Sequence, residues 1–279
     1  MSGLKKSYGP REVLHGVSFS VEAGEVFALL GPNGAGKTTT VEILEGYRRR
    51  DDGTVQVLGV DPSRAGTDFR ARIGIVLQSA AVYPLLSVRE ILDLFAGYYK
   101  RARNVPEVIE LVGLAEKSES RVRTLSGGQL RRLDLALALV GDPELIFLDE
   151  PTTGFDPAAR RQAWDTIRDL RGLGKSILLT THYMEEAQNL ADRLAILRDG
   201  RIVATGSPRE LLSGASGVEV RYRRNGEEIV VTTDEPTRVL HELTGQALAE
   251  GVELEDIEVR RRSLEDLYLE LTREEAKVG

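Results

Sequence analysis

The residues best suited to chemistry form a glycine-rich segment between an apolar run at 26–30 and a predicted helix at 38–45. The segment matches the phosphate-loop pattern G-x-x-x-x-G-K-[ST], in which backbone N–H groups and a helix N-terminus bind phosphate oxygens. Average residue frequencies produce this pattern by chance in about one chain of this length in a hundred, so we predict a nucleotide site rather than an ordinary turn. The predicted nucleotide-binding residues of the segment are Gly31, Pro32, Asn33, Gly34, Ala35, Gly36, Lys37, Thr38 and Thr39.

Two side chains of this segment have separate predicted roles. Lys37 is expected to neutralise charge on the β- and γ-phosphates, and the hydroxyl of Thr38 is expected to bind Mg²⁺. ATP and Mg²⁺ are therefore the expected cofactors.

A pair of acidic residues, Asp149 and Glu150, follows the apolar run at 145–148. Ligands of open α/β sheets bind at the carboxyl ends of the strands, and both carboxylates are expected there. Asp149 is predicted to bind Mg²⁺. Glu150 is predicted to accept a proton from the attacking water. Such a proton acceptor typically increases a reaction rate by roughly 10²–10⁴-fold. Acidic residues at a strand end are often only solvated, but their combination with a phosphate loop favours the catalytic interpretation.

Short apolar runs separated by helix-like segments of mixed charge predict an α/β sheet that positions these residues. Two early strands are expected, one through the alternating Val17, Phe19 and Val21 and one at 26–30. Later strands are expected at 73–77, 145–148, 177–180 and 195–197.

A helical subdomain is predicted from residue 87 to about residue 140, where apolar residues such as Val88 and Leu92 share one helix face and no convincing strand occurs. Further along the chain, Asp199-Gly200 joins two short apolar runs. This pair predicts a hairpin that closes a main domain of residues 1–212.

The remaining residues, 213–279, are expected to form a small α+β accessory domain with a regulatory role. Alternating apolar residues before Asn225-Gly226 predict a strand pair. A helix-like segment from Pro236, a strand-like segment at 252–259 and a helix behind the candidate N-cap Ser263 complete this domain.

A second anion site is predicted at residues 125–129, Leu-Ser-Gly-Gly-Gln, which precede a predicted helix. Ser126 and the N–H groups of Gly127 and Gly128 would lie at the helix N-terminus, where anions are favoured. The pentapeptide, which ends in Gln129, resembles the signature of ABC ATPases. This resemblance implies an ABC-type P-loop ATPase core and a head-to-tail homodimer, in which the signature of one chain completes the ATP site of the other.

Other residues occur in the order that the ABC ATPases show. Tyr8 resembles the aromatic residue that stacks on adenine, and Gln78 resembles the glutamine that contacts Mg²⁺ and the membrane partner. Asp156 resembles a residue of the dimer-contact loop, and His182 resembles the histidine that contacts the γ-phosphate. The chain departs from the family pattern at Phe155, where leucine is usual, and its start leaves little room for a first strand before Tyr8.

The composition excludes several classes of protein. No cysteine is present, which excludes disulfides, thiolate metal sites and a cysteine nucleophile. The formal net charge of -7 argues against electrostatically driven binding of nucleic acid. The longest apolar runs are far shorter than the roughly 20 residues of a membrane-spanning helix, and the first residues lack the apolar core of a signal peptide. We therefore expect a cytoplasmic location.

The favoured hypothesis is a transport ATPase that drives a separate integral membrane permease from the cytoplasmic face of the membrane. Residues 263–272 resemble the tail of drug-export subunits of the daunorubicin-resistance type, which implies export of a drug, lipid or other small molecule. One alternative is an ABC ATPase of DNA repair or translation, although the second cassette, zinc cysteines or coiled-coil insertion typical of those families does not occur. Another is a nucleotide-binding regulator without turnover, which Glu150 and His182 argue against.

Overall fold

A computed structural model describes residues 1–76, 83–213, 218–224, 226–261 and 263–275 of the chain. The strands are β1 (Ser2–Tyr8), β2 (Arg11–Val17), β3 (Val26–Leu30), β4 (Asp52–Thr54), β5 (Ile73–Val76), β6 (Leu145–Asp149), β7 (Ser176–Thr181), β8 (Arg193–Arg198), β9 (Arg201–Gly206), β10 (Val218–Arg224), β11 (Glu227–Thr233) and β12 (Glu255–Arg261). The helices are α1 (Lys37–Leu44), α2 (Thr67–Arg70), α3 (Val88–Ala96), α4 (Val105–Leu111), α5 (Gly127–Leu139), α6 (Pro157–Gly172), α7 (Met184–Leu190), α8 (Pro208–Ser213), α9 (Pro236–Glu250) and α10 (Leu264–Glu275). The chain divides into two compact units, Met1–Thr205 and Gly206–Gly279.

The first unit contains a six-stranded sheet in the order β5-β6-β7-β3-β8-β9. The first five of these strands run parallel, and all five residues of β3 are buried, as expected for a strand that is covered on both faces. Because β6, β7 and β3 are neighbours, their carboxyl ends lie side by side. The segments that follow these three strands therefore meet at one edge of the sheet.

An antiparallel sheet in the order β2-β1-β4 also belongs to this unit. The prediction of a strand through Val17, Phe19 and Val21 was wrong, because β2 ends at Val17. Phe19 and Val21 alternate because both pack against the core, and the Phe19 ring stacks on Phe27 with 4.9 Å between the centroids. The expectation of little room for a strand before Tyr8 was also wrong, because β1 occupies this stretch and pairs with both β2 and β4.

Helices α3, α4 and α5 lie between β5 and β6, in the stretch where helical periodicity was predicted. Helix α3 begins with a capping box, in which Ser87 and Glu90 satisfy each other's backbone N–H groups. Its residues Val88, Ile91 and Leu92 are buried. The hairpin of β8 and β9 turns at Asp199 and Gly200, both in the left-handed region, as their residue types predict.

The second unit contains an antiparallel sheet in the order β11-β10-β12. Val220, in its central strand, pairs with Val231 on one side and Val259 on the other, and its side chain is fully buried. Helix α10 follows Ser263, whose Oγ accepts a hydrogen bond from the Asp266 N–H at 3.3 Å. Within the part of the chain that the structure describes, no helix is both long and apolar enough to span a membrane.

Candidate nucleotide-binding site

The glycine-rich segment joins the end of β3 to the start of α1. Gly36 is the N-cap of α1 with φ of 105°, a conformation that residues with a Cβ rarely adopt. A Cβ on Gly31 would lie 2.2 Å from the carbonyl oxygen of Leu197, so no side chain fits there. The N–H of Gly31 donates to Thr181 O of the neighbouring strand β7 at 3.2 Å. The loop is thereby fixed at the carboxyl edge of the sheet, with its exposed residues Pro32, Asn33, Gly34 and Thr38 at the surface.

The side chain of Lys37 is held inside this loop. Its Nζ donates to Gly31 O at 2.8 Å and to Pro32 O at 3.1 Å. It also lies 3.4 Å from Oε1 of Glu150, and the two side chains are only 4% and 14% exposed. A shielded ammonium group therefore stands between the phosphate loop and the predicted proton acceptor.

Asp149 ends strand β6, where it pairs with Thr180 on strand β7, and Glu150 follows directly. The Thr180 hydroxyl donates to the Asp149 carboxylate. The Glu150 N–H approaches both Thr180 O at 3.2 Å and Thr180 Oγ1 at 3.1 Å. Glu150 has φ of 46°, in the sparsely populated left-handed region, so its side chain leaves the strand in a direction that a regular strand residue would not take.

The carboxylate of Glu150 faces two basic side chains. Its Oε2 lies 3.3 Å from His182 Nδ1 and accepts a hydrogen bond from the Thr153 hydroxyl at 3.1 Å. Burial raises the pKa of Glu150, but Lys37, His182 and the Thr153 hydroxyl together lower it by more, and the net pKa lies below the usual carboxyl value. Glu150 is therefore ionised at neutral pH, which is the state that a proton acceptor requires.

Two further carboxylates lie around this centre, and sequence reasoning did not single them out. Glu186 on α7 is fully buried and accepts hydrogen bonds from the Thr152 hydroxyl at 2.8 Å and the Trp164 indole at 3.1 Å. Burial, together with the charge of Asp149, raises the pKa of Glu45 to about 8. Glu45 is therefore mostly protonated at neutral pH and adds little negative charge beside Asp149.

The predicted signature begins helix α5, with Ser126 as its N-cap. Ser126 and Gln129 form a capping box, in which the Ser126 N–H donates to Gln129 Oε1 at 2.9 Å and the Gln129 N–H donates to Ser126 Oγ at 3.3 Å. A Cβ on Gly127 or Gly128 would meet nothing within 4 Å. Neither glycine has a positive φ, so neither the packing nor the backbone of this chain requires glycine at these positions.

The structure brings Lys37, Glu150 and His182 into contact, but gives other predicted residues different neighbours. Tyr8 lies under the guanidinium of Arg48, 5.1 Å from the ring centroid. Asp156 caps helix α6 by accepting from the N–H groups of residues 158 and 159. Gln78 lies outside the described residues.

Sequence reasoning missed Thr180 and Arg131, which both contact the strand end that carries Glu150. A polar residue at the carboxyl end of a buried strand is a signal by which Thr180 could have been found. Arg131 on α5 donates to Asp149 O and Pro151 O, each at 3.2 Å. Nothing in the sequence marks Arg131, because an arginine within a helix ordinarily faces solvent.

A phosphate loop after one strand of a parallel sheet, with an acidic pair after a nearby strand, defines a nucleoside triphosphatase of the P-loop class. Residues 14–153 match the ABC transporter family. The Nod factor export ATP-binding protein I of Paraburkholderia xenovorans (strain LB400) is 40% identical over 289 residues, which cover 96% of this chain and 95% of that protein. The daunorubicin resistance ATP-binding protein DrrA3 of Streptomyces coeruleorubidus is 40% identical over 305 residues, covering 100% and 96%.

A solved dimeric ATP-binding cassette in a post-hydrolysis state, bound to ADP and Pi, has a TM-score of 0.65 with this chain at 25% identity, covering 74% of this chain and 96% of that one. This chain therefore belongs to the ABC transporter family, as an ATP-binding subunit that hydrolyses ATP. The predicted family, the α/β P-loop fold and the ATPase activity are confirmed.

Proposed function

We propose that this chain powers export through a separate integral membrane permease, with ATP hydrolysed at the contact between Lys37, Glu150 and His182. The observation that carries the site is the position of the Glu150 carboxylate, 3.4 Å from Lys37 Nζ and 3.3 Å from His182 Nδ1. The relatives support the transport role, because one is named for Nod factor export and the other for daunorubicin resistance. The cargo is a drug, lipid or other small molecule, and the chain acts at the cytoplasmic face of the membrane.

In this proposal each residue of the centre has one task in hydrolysis. Lys37 exchanges its contacts with the loop carbonyls for the β- and γ-phosphate oxygens, which the loop N–H groups also bind. Glu150 accepts the proton of the attacking water, and His182 donates to the γ-phosphate. Tyr8 stacks on the adenine ring.

The donors around the loop fit Mg²⁺ better than a metal that requires a full protein cage. No group of three or more His, Cys, Asp or Glu side chains in the described ranges has the geometry of a metal site, whereas Mg²⁺ is bound through only one or two carboxylates and keeps phosphate and water in its shell. Thr38 and Asp149 would hold the ion, with Gln78 as a third ligand. Bound there, Mg²⁺ would neutralise charge on the phosphates.

Two copies of this chain would close head to tail over two ATP molecules. Gly127 and Gly128 support this arrangement. Within a single chain, both positions have room for a side chain, yet both are glycine. A group from outside that approaches the backbone closely accounts for this choice, and a helix N-terminus favours an anion. Ser126 and Gln129 would thus contact the partner's nucleotide, with Asp156 in the contact between the two chains. A dimeric cassette among the structural relatives supports the formation of a dimer.

Ser126→Arg is expected to leave ATP binding to the isolated chain within about twofold and to prevent ATP-dependent dimerisation. The added bulk and charge would occupy the partner's site, whereas the phosphate loop of the same chain is untouched. Size-exclusion chromatography with ATP, together with nucleotide titration, measures both effects. Ser20→Arg, at an exposed loop position, is the matched control. Dimerisation of Ser126→Arg at wild-type ATP concentration would refute the composite site.

The permease is expected to co-purify with the tagged chain from native membranes solubilised in mild detergent. Tyr83, Leu85 and Tyr98 are exposed large apolar side chains in the segment between β5 and α4, and we propose that they belong to the permease contact. The double variant Leu85→Asp, Tyr98→Asp should keep its basal ATPase activity and lose the membrane protein, whereas Leu173→Asp, also exposed, should retain it. Recovery of only ribosomal or DNA-repair components would refute the transport role.

A further inference from the structure

Arg131 contacts the peptide groups on both sides of Glu150. Its Nε donates to Pro151 O and its Nη2 donates to Asp149 O, each at 3.2 Å. These carbonyls belong to the residues immediately before and after Glu150. One planar guanidinium therefore spans the backbone turn that carries the proposed proton acceptor, with a geometry that an ammonium group cannot reproduce.

The backbone at Glu150 requires such support. A φ of 46° is disfavoured for a residue with a Cβ, and conformations of this kind persist only where the surroundings hold them. Thr180 on β7 holds the Glu150 N–H from the sheet side. Arg131 holds the adjoining carbonyls from the helix side, so the carboxylate stays directed at Lys37 and His182.

The guanidinium itself is fixed by its environment. The side chains of Arg131 and Asp134 are 13% and 11% exposed, and Asp134 Oδ2 lies 3.8 Å from Arg131 Nη1, one helical turn along α5. A shielded cation that loses its partners pays a large desolvation cost. Loss of both carbonyl contacts would therefore destabilise the shielded guanidinium of Arg131.

We propose that Arg131 is a positioning residue, which holds Glu150 in its active orientation and ties the signature helix to the catalytic carboxylate of the same chain. This inference rests on the proposed role of Glu150. In the proposed dimer, the N-terminus of α5 contacts the nucleotide bound by the partner, whereas Glu150 acts on the nucleotide bound by its own loop. Arg131 then connects the two ATP sites through a single helix.

Arg131→Met is expected to lower kcat about tenfold, as for loss of hydrogen bonds from a charged group, while ATP affinity changes by less than about twofold. Arg131→Lys should recover part of the loss, because an ammonium group reaches one carbonyl but not both. Arg168→Met is the control, since Arg168 lies on α6 in an exposed ion pair with Asp165. Steady-state ATPase assays and nucleotide titration give kcat and affinity separately, and an unchanged kcat for Arg131→Met would overturn the proposal.

Mixed dimers with two affinity tags separate positioning of Glu150 from a general defect of the signature helix. In the first dimer, one chain carries Arg131→Met and its partner carries Glu150→Gln, so the only active Glu150 lies in the chain without Arg131. In the second, one chain is wild type and its partner carries both changes. The proposal expects the tenfold loss in the first dimer only, relative to a dimer of wild type with Glu150→Gln. An equal loss in the second dimer would overturn it.

Comparing the turnover of Glu150→Gln with that of the Arg131 variants tests the role of Arg131 separately from the role of Glu150. If Glu150→Gln retains wild-type turnover, the proton acceptor is wrong and the role of Arg131 falls with it. If Glu150→Gln loses turnover while both Arg131 variants match the Arg168→Met control, the proton acceptor stands and only the inference about Arg131 is refuted. Thermal unfolding with ATP confirms that each variant is folded, and Arg131→Lys serves as the test if Arg131→Met is not.

Discussion

Glu150→Gln is expected to reduce ATP hydrolysis by about 10²–10⁴, which corresponds to roughly 3–5 kcal/mol of barrier, while ATP binding survives. Glutamine keeps the size and hydrogen-bonding capacity of the side chain but cannot accept the proton of water at neutral pH. It also removes a negative charge from a position close to Lys37 and His182, where the γ-phosphate would bind. Repulsion between two anions is thereby lost, and the ATP-bound dimer should accumulate.

Steady-state ATPase assays beside ATP-dependent gel filtration test this separation of binding from turnover. Glu116→Gln is the matched control, because Glu116 is exposed and lies between helices α4 and α5. Turnover close to wild type in the Glu150→Gln protein would exclude Glu150 as the proton acceptor without affecting the assignment to the ABC family.

Lys37→Ala is expected to fail at the binding step, with ATP affinity lowered by about 10- to 100-fold, since hydrogen bonds to a charged group are worth about 1.5–3 kcal/mol. The ammonium group is 4% exposed, so its interaction with phosphate is poorly screened by water. The same change removes the cation that lowers the pKa of Glu150. Unlike Glu150→Gln, this variant should form no ATP-bound dimer at ATP concentrations that saturate the wild-type chain.

Equilibrium titration with a fluorescent ATP analogue measures the affinity, and Lys117→Ala, at an exposed position, controls for loss of a lysine. An affinity within twofold of wild type, with turnover also unchanged, would show that Lys37 does not contact the phosphates. A loss of turnover at unchanged affinity would instead assign Lys37 to the transition state alone.

The local order of residues determined the class of this protein. A phosphate loop needs a strand, glycines and a helix start in immediate succession, and all of these lie within residues 26–45. The acidic pair likewise follows its apolar run directly, and Ser263 was recognisable as a cap from its own position. Such features depend on contacts between residues that are only a few positions apart, so they can be predicted from the sequence alone.

Local residue patterns gave a wrong prediction at the early strands. Alternation at Val17, Phe19 and Val21 results from packing against the core rather than from strand pairing, and periodicity alone does not distinguish these causes. Strand β1 also pairs with residues 52–54. These two segments are far apart in the chain, so a local sequence pattern does not predict their pairing.

The sequence by itself therefore determined the family, the α/β fold, ATP as the ligand and three of the residues that meet at the sheet edge, Lys37, Glu150 and His182. Only the tertiary structure decided how these residues act on each other. The strand order β6-β7-β3 puts Thr180 against Asp149, and the packing of α5 against the same strand end brings Arg131 to the carbonyls around Glu150. Hydrogen bonds and charge interactions act over a few ångströms, and distances of that order between residues far apart in the chain exist only once the chain has folded.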